Sequence, residues 1–169
     1  MKTCIAYGTR WGSTRKTAEL LAVCLRDADG RQVDVVDSGK LGSRQLSSYD
    51  NFIIGSSIAA GMWKGGPKRL LKKLAGLGKM VAVFVTAGGV IHGQEPGSVP
   101  DAPAVGTLAE REAKAIGLYI DPACEKAGLK PVAKSAFGGK MSMFGKERFD
   151  SWDAEPIRGW AAVLAGVLH

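Results

Sequence analysis

The sequence predicts a three-layer α/β domain in which helices cover both faces of a doubly wound parallel sheet. First, short apolar segments alternate along the chain with segments whose apolar residues recur at helical spacing. Second, the chain has 169 residues, of which 46% are hydrophobic, enough for one domain with a full core. Because repeated strand–helix alternation implies parallel strands joined by right-handed crossovers, we expect residues 1–169 to form a single domain.

Five strands are predicted, and the first and third end in glycine. Met80–Thr86 is the most apolar of them, which is typical of a central strand covered on both faces. The five predicted strands are Thr3–Gly8, Gln32–Val36, Asn51–Gly55, Met80–Thr86 and Val132–Phe137.

Four helices are predicted between and after these strands. The first has an apolar stripe that begins at Ala18, and Asp29-Gly30 ends it. The second is basic and amphipathic, and the last has Pro156 in its first turn. The four predicted helices are Thr14–Ala28, Pro67–Leu77, Thr107–Lys126 and Asp153–Leu168.

The turn after the first strand has the composition of a phosphate site. It is rich in glycine and hydroxyl residues and runs directly into a helix, whose first N–H groups are unpaired and carry partial positive charge. An anion would satisfy those donors. Gly12 lets the backbone approach a phosphate closely, and hydroxyl hydrogen bonds are available from Thr9, Ser13 and Thr14. The alternative is that Ser13 or Thr14 serves only as a helix N-cap.

Two familiar phosphate motifs are absent from this sequence. There is no G-x-x-x-x-G-K-[ST], which argues against a nucleoside triphosphatase. There is also no G-x-G-x-x-G after the first strand, which argues against a dinucleotide site.

The chain is basic, with a formal net charge of +7 and an isoelectric point near 9.5. Lys and Arg are densest in Lys64–Lys73 and Lys140–Arg148. Such charge favours nucleic acid, an anionic membrane surface or an acidic partner, and a solvated surface is the alternative. Because no nucleic-acid-binding motif is present, we do not expect nucleic acid to be a partner.

Cysteine and histidine usage predicts a reduced, metal-free cytoplasmic protein. Cys4, Cys24 and Cys124 are scattered and odd in number, and the first two occupy apolar positions of a strand and a helix. His92 and His169 are far apart, so no Cys/His group has metal-ligand spacing. The sequence shows neither a signal-peptide pattern nor an apolar run near 20 residues.

Three predicted strands end in glycine- or hydroxyl-rich turns that should gather into one site. The turns are Gly8-Thr9, Gly55–Ser57 and Thr86–Gly89. In an open parallel sheet, a ligand binds outside the carboxyl ends of the strands, where the strand order reverses. The side chains available to stack on a flat ring, each of which could instead be a packing residue, are Trp11, Met62, Trp63 and His92.

The irregular stretch Ala87–Gly106 follows the third of these turns. A connection of that length inside a compact domain is usually functional.

With these segments in place, the chain resembles flavodoxins along essentially its whole length. The turn Thr9-x-x-Gly12-x-Thr14 is similar to the FMN phosphate loop, and Gly55–Gly66 and Thr86–His92 are similar to the two loops that flank the isoalloxazine ring. The resemblance implies a flavodoxin-like sandwich with a five-stranded sheet in the order 2-1-3-4-5, with FMN as cofactor.

A closer resemblance is to the flavodoxin-like branch that contains menaquinone-dependent protoporphyrinogen oxidase. It is carried by Thr9-Arg10-x-Gly12-x-Thr14-Arg15, Tyr49-Asp50, Ile54–Ile58 with Gly61 and Trp63, and Phe137–Met141 before the basic-aromatic segment Phe144–Phe149. The chain also differs from classical flavodoxins. It is basic rather than acidic, and Gly88-Gly89 stands where the resemblance leads us to expect an aromatic residue.

The resemblance implies cofactor-binding residues in all three turns. The sequence itself shows no catalytic triad, carboxylate pair or obvious general base. His92 is a candidate proton shuttle, and Gly61 is a candidate for a peptide that turns toward the ring or an ordinary turn glycine. The candidate cofactor-binding residues are Thr9, Arg10, Trp11, Gly12, Ser13, Thr14, Ser56, Ser57, Ile58, Gly61, Trp63, Thr86, Ala87, Gly88, Gly89 and His92.

Three functions follow from these observations. The first is an FMN redox protein that transfers electrons as a carrier or reductase module, with a redox partner protein. The second is an enzyme that oxidises a bulky, porphyrinogen-like substrate, passes electrons to a quinone and touches an anionic membrane through Lys140–Arg148. The third is a scaffold that binds a partner and no flavin, which the intact phosphate turn disfavours.

Overall fold

Five parallel strands form the central sheet of the computed structural model, which describes residues 1–93 and 105–169. Their order in space is β2-β1-β3-β5-β6, so the five-strand order predicted from the sequence is confirmed. The eight strands are β1 (Lys2–Gly8), β2 (Gln32–Asp37), β3 (Asn51–Ala59), β4 (Met62–Trp63), β5 (Met80–Thr86), β6 (Ala133–Phe137), β7 (Lys140–Met143) and β8 (Lys146–Asp150).

Two helical layers cover the sheet, as predicted. The helices are α1 (Ser13–Asp29), α2 (Gly65–Ala75), α3 (Gly88–His92), α4 (Leu108–Ala115), α5 (Asp121–Ala127) and α6 (Ala154–Val167), and a π-helical turn (Ile116–Ile120) joins α4 to α5. Two short 3₁₀ segments, Ser38–Lys40 and Ser43–Ser48, lie between β2 and β3.

Each face of the sheet has its own hydrophobic core, because successive side chains of a strand point to opposite faces. On one face, Ile5 and Phe84 pack with apolar residues of α1 and α6 such as Leu21. On the other face, Ile54 and Val83 pack with residues of α2, α5 and the π turn. Strands β1, β3 and β5 are therefore buried along most of their length, which explains their continuous apolar sequences.

The structure differs from the predicted elements in three places. The helix predicted over Thr107–Lys126 is interrupted by the π turn. Strand β3 extends beyond Gly55 and pairs with β4 through a tight Ala60-Gly61 turn, in which both residues have positive φ. Strands β7 and β8 form an antiparallel hairpin, and the sequence analysis predicts no strand in this segment.

The irregular stretch predicted over residues 87–106 begins instead with helix α3. Residues 94–104 of that stretch lie outside the described residues. In the described part of the chain, no helix is both long and apolar enough to cross a membrane.

The cysteines are thiols within the described residues, as the sequence analysis expects. Cys4 and Cys124 are buried, whereas Cys24 is only half-buried. Burial raises the pKa of the Cys4 thiol to about 12 and that of Cys124 to about 11, so both stay protonated at neutral pH.

Gly55 provides a test of the packing at the centre of the sheet. A Cβ atom on Gly55 would lie 2.2 Å from Cζ of Phe84, far inside van der Waals contact distance. We expect Gly55→Ala to lower the free energy of unfolding by about 1–3 kcal/mol, because a buried ring must move out of its rotamer. Urea denaturation measures this change.

The matched control is Gly159→Ala on the exposed side of α6, where nothing lies within 4 Å of the added Cβ. This variant should gain about 0.5–1 kcal/mol, because alanine costs less backbone entropy than glycine in a helix. An equal gain in stability for Gly55→Ala would contradict the described packing of Phe84.

Candidate cofactor site

A cavity of about 470 Å³ opens at the carboxyl ends of β1, β3 and β5, where the strand order reverses. This volume lies within the range of about 300–1,000 Å³ that is usual for small-molecule sites. The structure brings most of the predicted site residues to its wall: Thr9, Trp11, Ser13, Thr14, Ser57, Ile58, Gly61, Thr86, Ala87, Gly88 and Gly89.

Gly12 sets the geometry of the turn that precedes α1. It has φ of +94°, a left-handed conformation that favours glycine, and its N–H donates to Thr9 Oγ1 at 2.9 Å. Helix α1 begins at the next residue without a side-chain cap. Neither Ser13 nor Thr14 therefore acts as an N-cap, and the first-turn N–H groups of α1 face the turn, as a phosphate site requires.

Two hydroxyls in this turn keep a proton for a further partner. Thr9 Oγ1 accepts from Gly12 N, and Ser13 Oγ accepts from the backbone N–H of Lys140 at 2.8 Å. A hydroxyl that accepts a hydrogen bond still has its own O–H to donate. Both hydroxyls are thus set up as donors toward an anion.

Thr14 connects this turn to the loop after β5. Its hydroxyl lies 2.7 Å from the hydroxyl of Thr86, and both side chains are buried. Because one hydroxyl donates to the other, only one proton of the pair remains for a ligand.

The carboxyl end of β3 contains a buried hydroxyl with no partner in the described residues, Ser57 Oγ. Its neighbour Ser56 is fully satisfied, because Ser56 Oγ accepts from Lys64 N at 2.9 Å and donates to the carbonyl of Ser57 at 3.0 Å. An unpaired buried hydroxyl costs about 1–3 kcal/mol, so its presence on a cavity wall points to a missing ligand.

Five predicted residues are not on the cavity wall: Arg10, Gly12, Ser56, Trp63 and His92. The Arg10 guanidinium lies 5.1 Å from the centre of the Trp11 ring. Trp63 donates from its indole Nε1 to the carbonyl of Tyr119 at 2.7 Å. The cofactor-binding roles of these five residues, like those of the residues on the wall, stay predictions.

The cavity wall also includes residues that the sequence analysis did not predict. Tyr119 is half-buried on the π turn, and burial raises the pKa of its phenol. The hairpin contributes Lys140, Met141 and Phe149. The full set of additional residues is Ala59, Ala60, Val90, Tyr119, Gly139, Lys140, Met141 and Phe149.

A sequence signal existed for the hairpin residues but not for Tyr119. Residues 140–143 alternate between polar and apolar, and Gly145 follows them as the second residue of a candidate two-residue hairpin turn. In the structure, Phe144 and Gly145 form that turn with positive φ. Tyr119 lies in a helical sequence, and nothing local distinguishes the π turn from an ordinary helix.

The charge of the cavity wall suits an anion. None of the described side chains that line it is acidic, and Lys140 is basic. In the described part of the chain, no group of three or more His, Cys, Asp or Glu side chains is placed to hold a metal ion.

A doubly wound sheet with a hydroxyl-rich cavity at the strand-order reversal defines a class of domains that bind phosphorylated cofactors. Within that class, the family model described as the flavodoxin domain matches residues 4–151. The chain belongs to the flavodoxin domain family.

Comparisons with known proteins agree with this assignment. The chain is 37% identical over 75 residues to protoporphyrinogen IX dehydrogenase [quinone] from Escherichia coli K12, a match that covers 44% of this chain and 41% of that protein. The match therefore spans about two fifths of the length of that curated relative.

Solved flavodoxins share the whole fold at low sequence identity. Flavodoxin 1 from Bacillus cereus matches with a TM-score of 0.60 and 16% identity, covering 100% of both chains. Two-electron reduced flavodoxin from Megasphaera elsdenii matches with a TM-score of 0.61 and 16% identity, covering 97% of this chain and 98% of that one.

The family assignment identifies the chain as an FMN-binding electron-transfer protein, and the site's own residues fit FMN. The unpaired Ser57 hydroxyl, the donors of the turn before α1 and the absence of acidic side chains among the described cavity residues all suit a phosphorylated, hydrogen-bonding cofactor. Gly61 and Gly89 have no side chain, which leaves space along the wall for a flat ring.

Replacement of Ser57 tests whether its hydroxyl is unpaired in the ligand-free protein. We expect Ser57→Ala to leave the free energy of unfolding unchanged or to raise it, because it removes a buried donor that has no partner. Chemical denaturation without FMN measures the effect.

Ser135→Ala is the matched control, since the buried Ser135 hydroxyl donates to Glu112 Oε1 at 2.7 Å. This control should lose about 1–3 kcal/mol. A comparable loss for Ser57→Ala would show that Ser57 is already satisfied in the ligand-free protein.

Proposed function

We propose that this chain is a single FMN-dependent redox domain that holds FMN in the cavity at the carboxyl ends of β1, β3 and β5. The observation that carries the proposal is that the start of α1, with its free N–H donors, and the unpaired hydroxyl of Ser57 lie on the wall of the same cavity. The first-turn N–H groups of α1, with Thr9 and Ser13, would hold the phosphate. The end of β3 from Ser57, the Ala60-Gly61 turn, and residues 86–90 at the junction of β5 and α3 would line the ring.

FMN, when bound, supplies the electron-accepting and electron-donating chemistry. The chain's residues bind and orient the cofactor and limit water access to it. The Thr14–Thr86 hydrogen bond fixes the distance between the phosphate turn and the loop after β5. The contact between Lys140 N and Ser13 Oγ holds the hairpin beside the same turn.

As an electron-transfer protein, the chain exchanges electrons with a redox partner, and we propose either a partner protein or a quinone in that role. Lys140 on the cavity wall and the net charge of +7 support an acidic surface on a partner protein, because complementary charge accelerates encounter. The three thiols, of which two are deeply buried, support a reducing, cytoplasmic location.

A second function is favoured by the hairpin. Phe144 at its tip is 92% exposed, and Lys140, Lys146 and Arg148 flank it, beside the cavity that we assign to FMN. The name of the Escherichia coli relative states a porphyrinogen dehydrogenase that uses a quinone. An exposed aromatic among basic residues suits the surface of an anionic bilayer, where quinones are dissolved.

The proposed phosphate site predicts a difference between FMN and riboflavin. We expect the wild-type protein to bind FMN more tightly than riboflavin, which lacks the phosphate. Ser13→Ala should weaken FMN binding by about 10- to 100-fold, because it removes a hydrogen bond to a charged group, and should change riboflavin binding much less. Titration followed by absorbance or calorimetry gives both affinities.

Thr107→Ala is the control for this experiment, because Thr107 caps α4 through Glu110 N, away from the cavity. It should lower stability and leave the FMN-to-riboflavin ratio unchanged. Equal affinity for FMN and riboflavin in the wild type would refute the phosphate site. If neither flavin binds, the scaffold function becomes the leading alternative.

The second function predicts binding to anionic vesicles. We expect sedimentation with phosphatidylglycerol vesicles at low salt, little with phosphatidylcholine vesicles, and a steep decrease as salt rises. Lys146→Ser combined with Arg148→Ser should reduce the bound fraction. The matched control, Lys72→Ser with Lys73→Ser on α2, removes the same charge elsewhere. An equal reduction in both double variants, or no binding at all, would favour the carrier function.

A further inference from the structure

Phe149 forms a part of the cavity wall that belongs to neither the phosphate turn nor the loops after β3 and β5. It lies on β8, is half-buried, and is paired across the hairpin with Met141, which also lines the cavity. The other aromatic residue of the hairpin, Phe144, lies at its tip and is 92% exposed. Of these two rings, only that of Phe149 faces the cavity.

The loop after β5 leaves space for the Phe149 ring. A Cβ atom on Gly88 would lie 2.8 Å from Phe149 Cε2 and 2.9 Å from the carbonyl oxygen of Gly139. At Gly89 a Cβ would lie 4.0 Å from Phe149 Cζ. The glycine at position 88 is therefore required by the close approach of the hairpin, and the ring lies directly against the backbone of this loop.

His92 fixes the orientation of this ring. The imidazole of His92 stacks on Phe149 with 5.0 Å between ring centres and an interplanar angle of 8°. His92 is on α3, is exposed, and does not line the cavity. The imidazole thus supports Phe149 without occupying the space of a ligand.

The base of the hairpin is held to the same loop. Ser151 Oγ donates to the carbonyl of Gly88 at 3.1 Å, and Ser151 N donates to the carbonyl of Gly139 at 3.0 Å. Phe149 is two residues from this anchor. Its position relative to Gly88 is therefore set by the backbone as well as by stacking with His92.

We propose that Phe149 is an aromatic side chain that contacts the ring of the bound flavin, and that His92 is its positioning residue. The inference rests on the proposed placement of FMN in this cavity. A flat conjugated ring gains from offset or edge contact with a phenyl group beyond the area that it buries. Gly88 and Gly89 have no side chain that could make this aromatic contact. Phe149 of the hairpin would make it instead.

The first test compares the affinities of Phe149 variants for FMN and for riboflavin. We expect Phe149→Ala to weaken both ligands by the same factor, about 3- to 10-fold, because both carry the same ring. Phe149→Leu, which keeps much of the volume, should recover part of the loss, and Phe149→Tyr most of it. Phe144→Ala is the matched control on the same hairpin and should change neither affinity.

The second test is a double-mutant cycle with His92. We expect His92→Ala to weaken flavin binding by a smaller factor than Phe149→Ala, and His92→Phe to restore it, because a phenyl group can stack in the same place. In the Phe149→Ala background, His92→Ala should cause no further loss, since a positioning residue has nothing left to position.

Other outcomes would overturn the proposal. If Phe149→Ala lowers the unfolding free energy but leaves both affinities unchanged, the ring only packs the hairpin against α3. If its effect adds to that of His92→Ala, the two residues act separately. If the wild-type protein binds no flavin, the proposed function itself fails, an outcome that is distinct from binding that Phe149 does not influence.

Discussion

The hydrogen bond between Thr14 and Thr86 is the contact on which the geometry of the site depends. It joins the first turn of α1 to the last residue of β5 through two buried hydroxyls, 2.7 Å apart. Both groups would be unsatisfied if the turn moved away from the sheet, at a cost of about 1–3 kcal/mol each. The phosphate turn and the loop after β5 therefore behave as one unit, and the cavity between them exists before any ligand enters.

The hairpin extends this unit to a third part of the chain. Lys140 N donates to Ser13 Oγ, and Ser151 binds the backbone of Gly88 and Gly139. Segments far apart in sequence thus enclose one cavity, with the hairpin as a wall that carries both a cation and an aromatic ring. In this arrangement, the hairpin places the positive charge of Lys140 on the wall of a cavity that would hold an anionic cofactor.

Most of the fold was predictable because it follows local rules. The apolar strands, the glycine that ends α1 and the proline near the start of α6 each leave a signal within a few residues. The phosphate turn was predictable for the same reason. In contrast, the contact of Trp63 with Tyr119 joins residues 56 positions apart, and the stack of His92 on Phe149 depends on where a hairpin docks. Such contacts are set by tertiary packing, which no local pattern encodes.

The π turn that carries Tyr119 also affects how this chain aligns with other proteins. A π turn, with i→i+5 hydrogen bonds, contains one more residue than an α-helical turn. The residues after Ile116–Ile120 therefore face the directions expected of a straight helix only when one residue of the turn is left out of the count. A pairwise alignment with a homologue that has an uninterrupted helix here needs a one-residue gap. Without that gap, the buried side chains of Ile120 and Cys124 would be matched to solvent-facing positions.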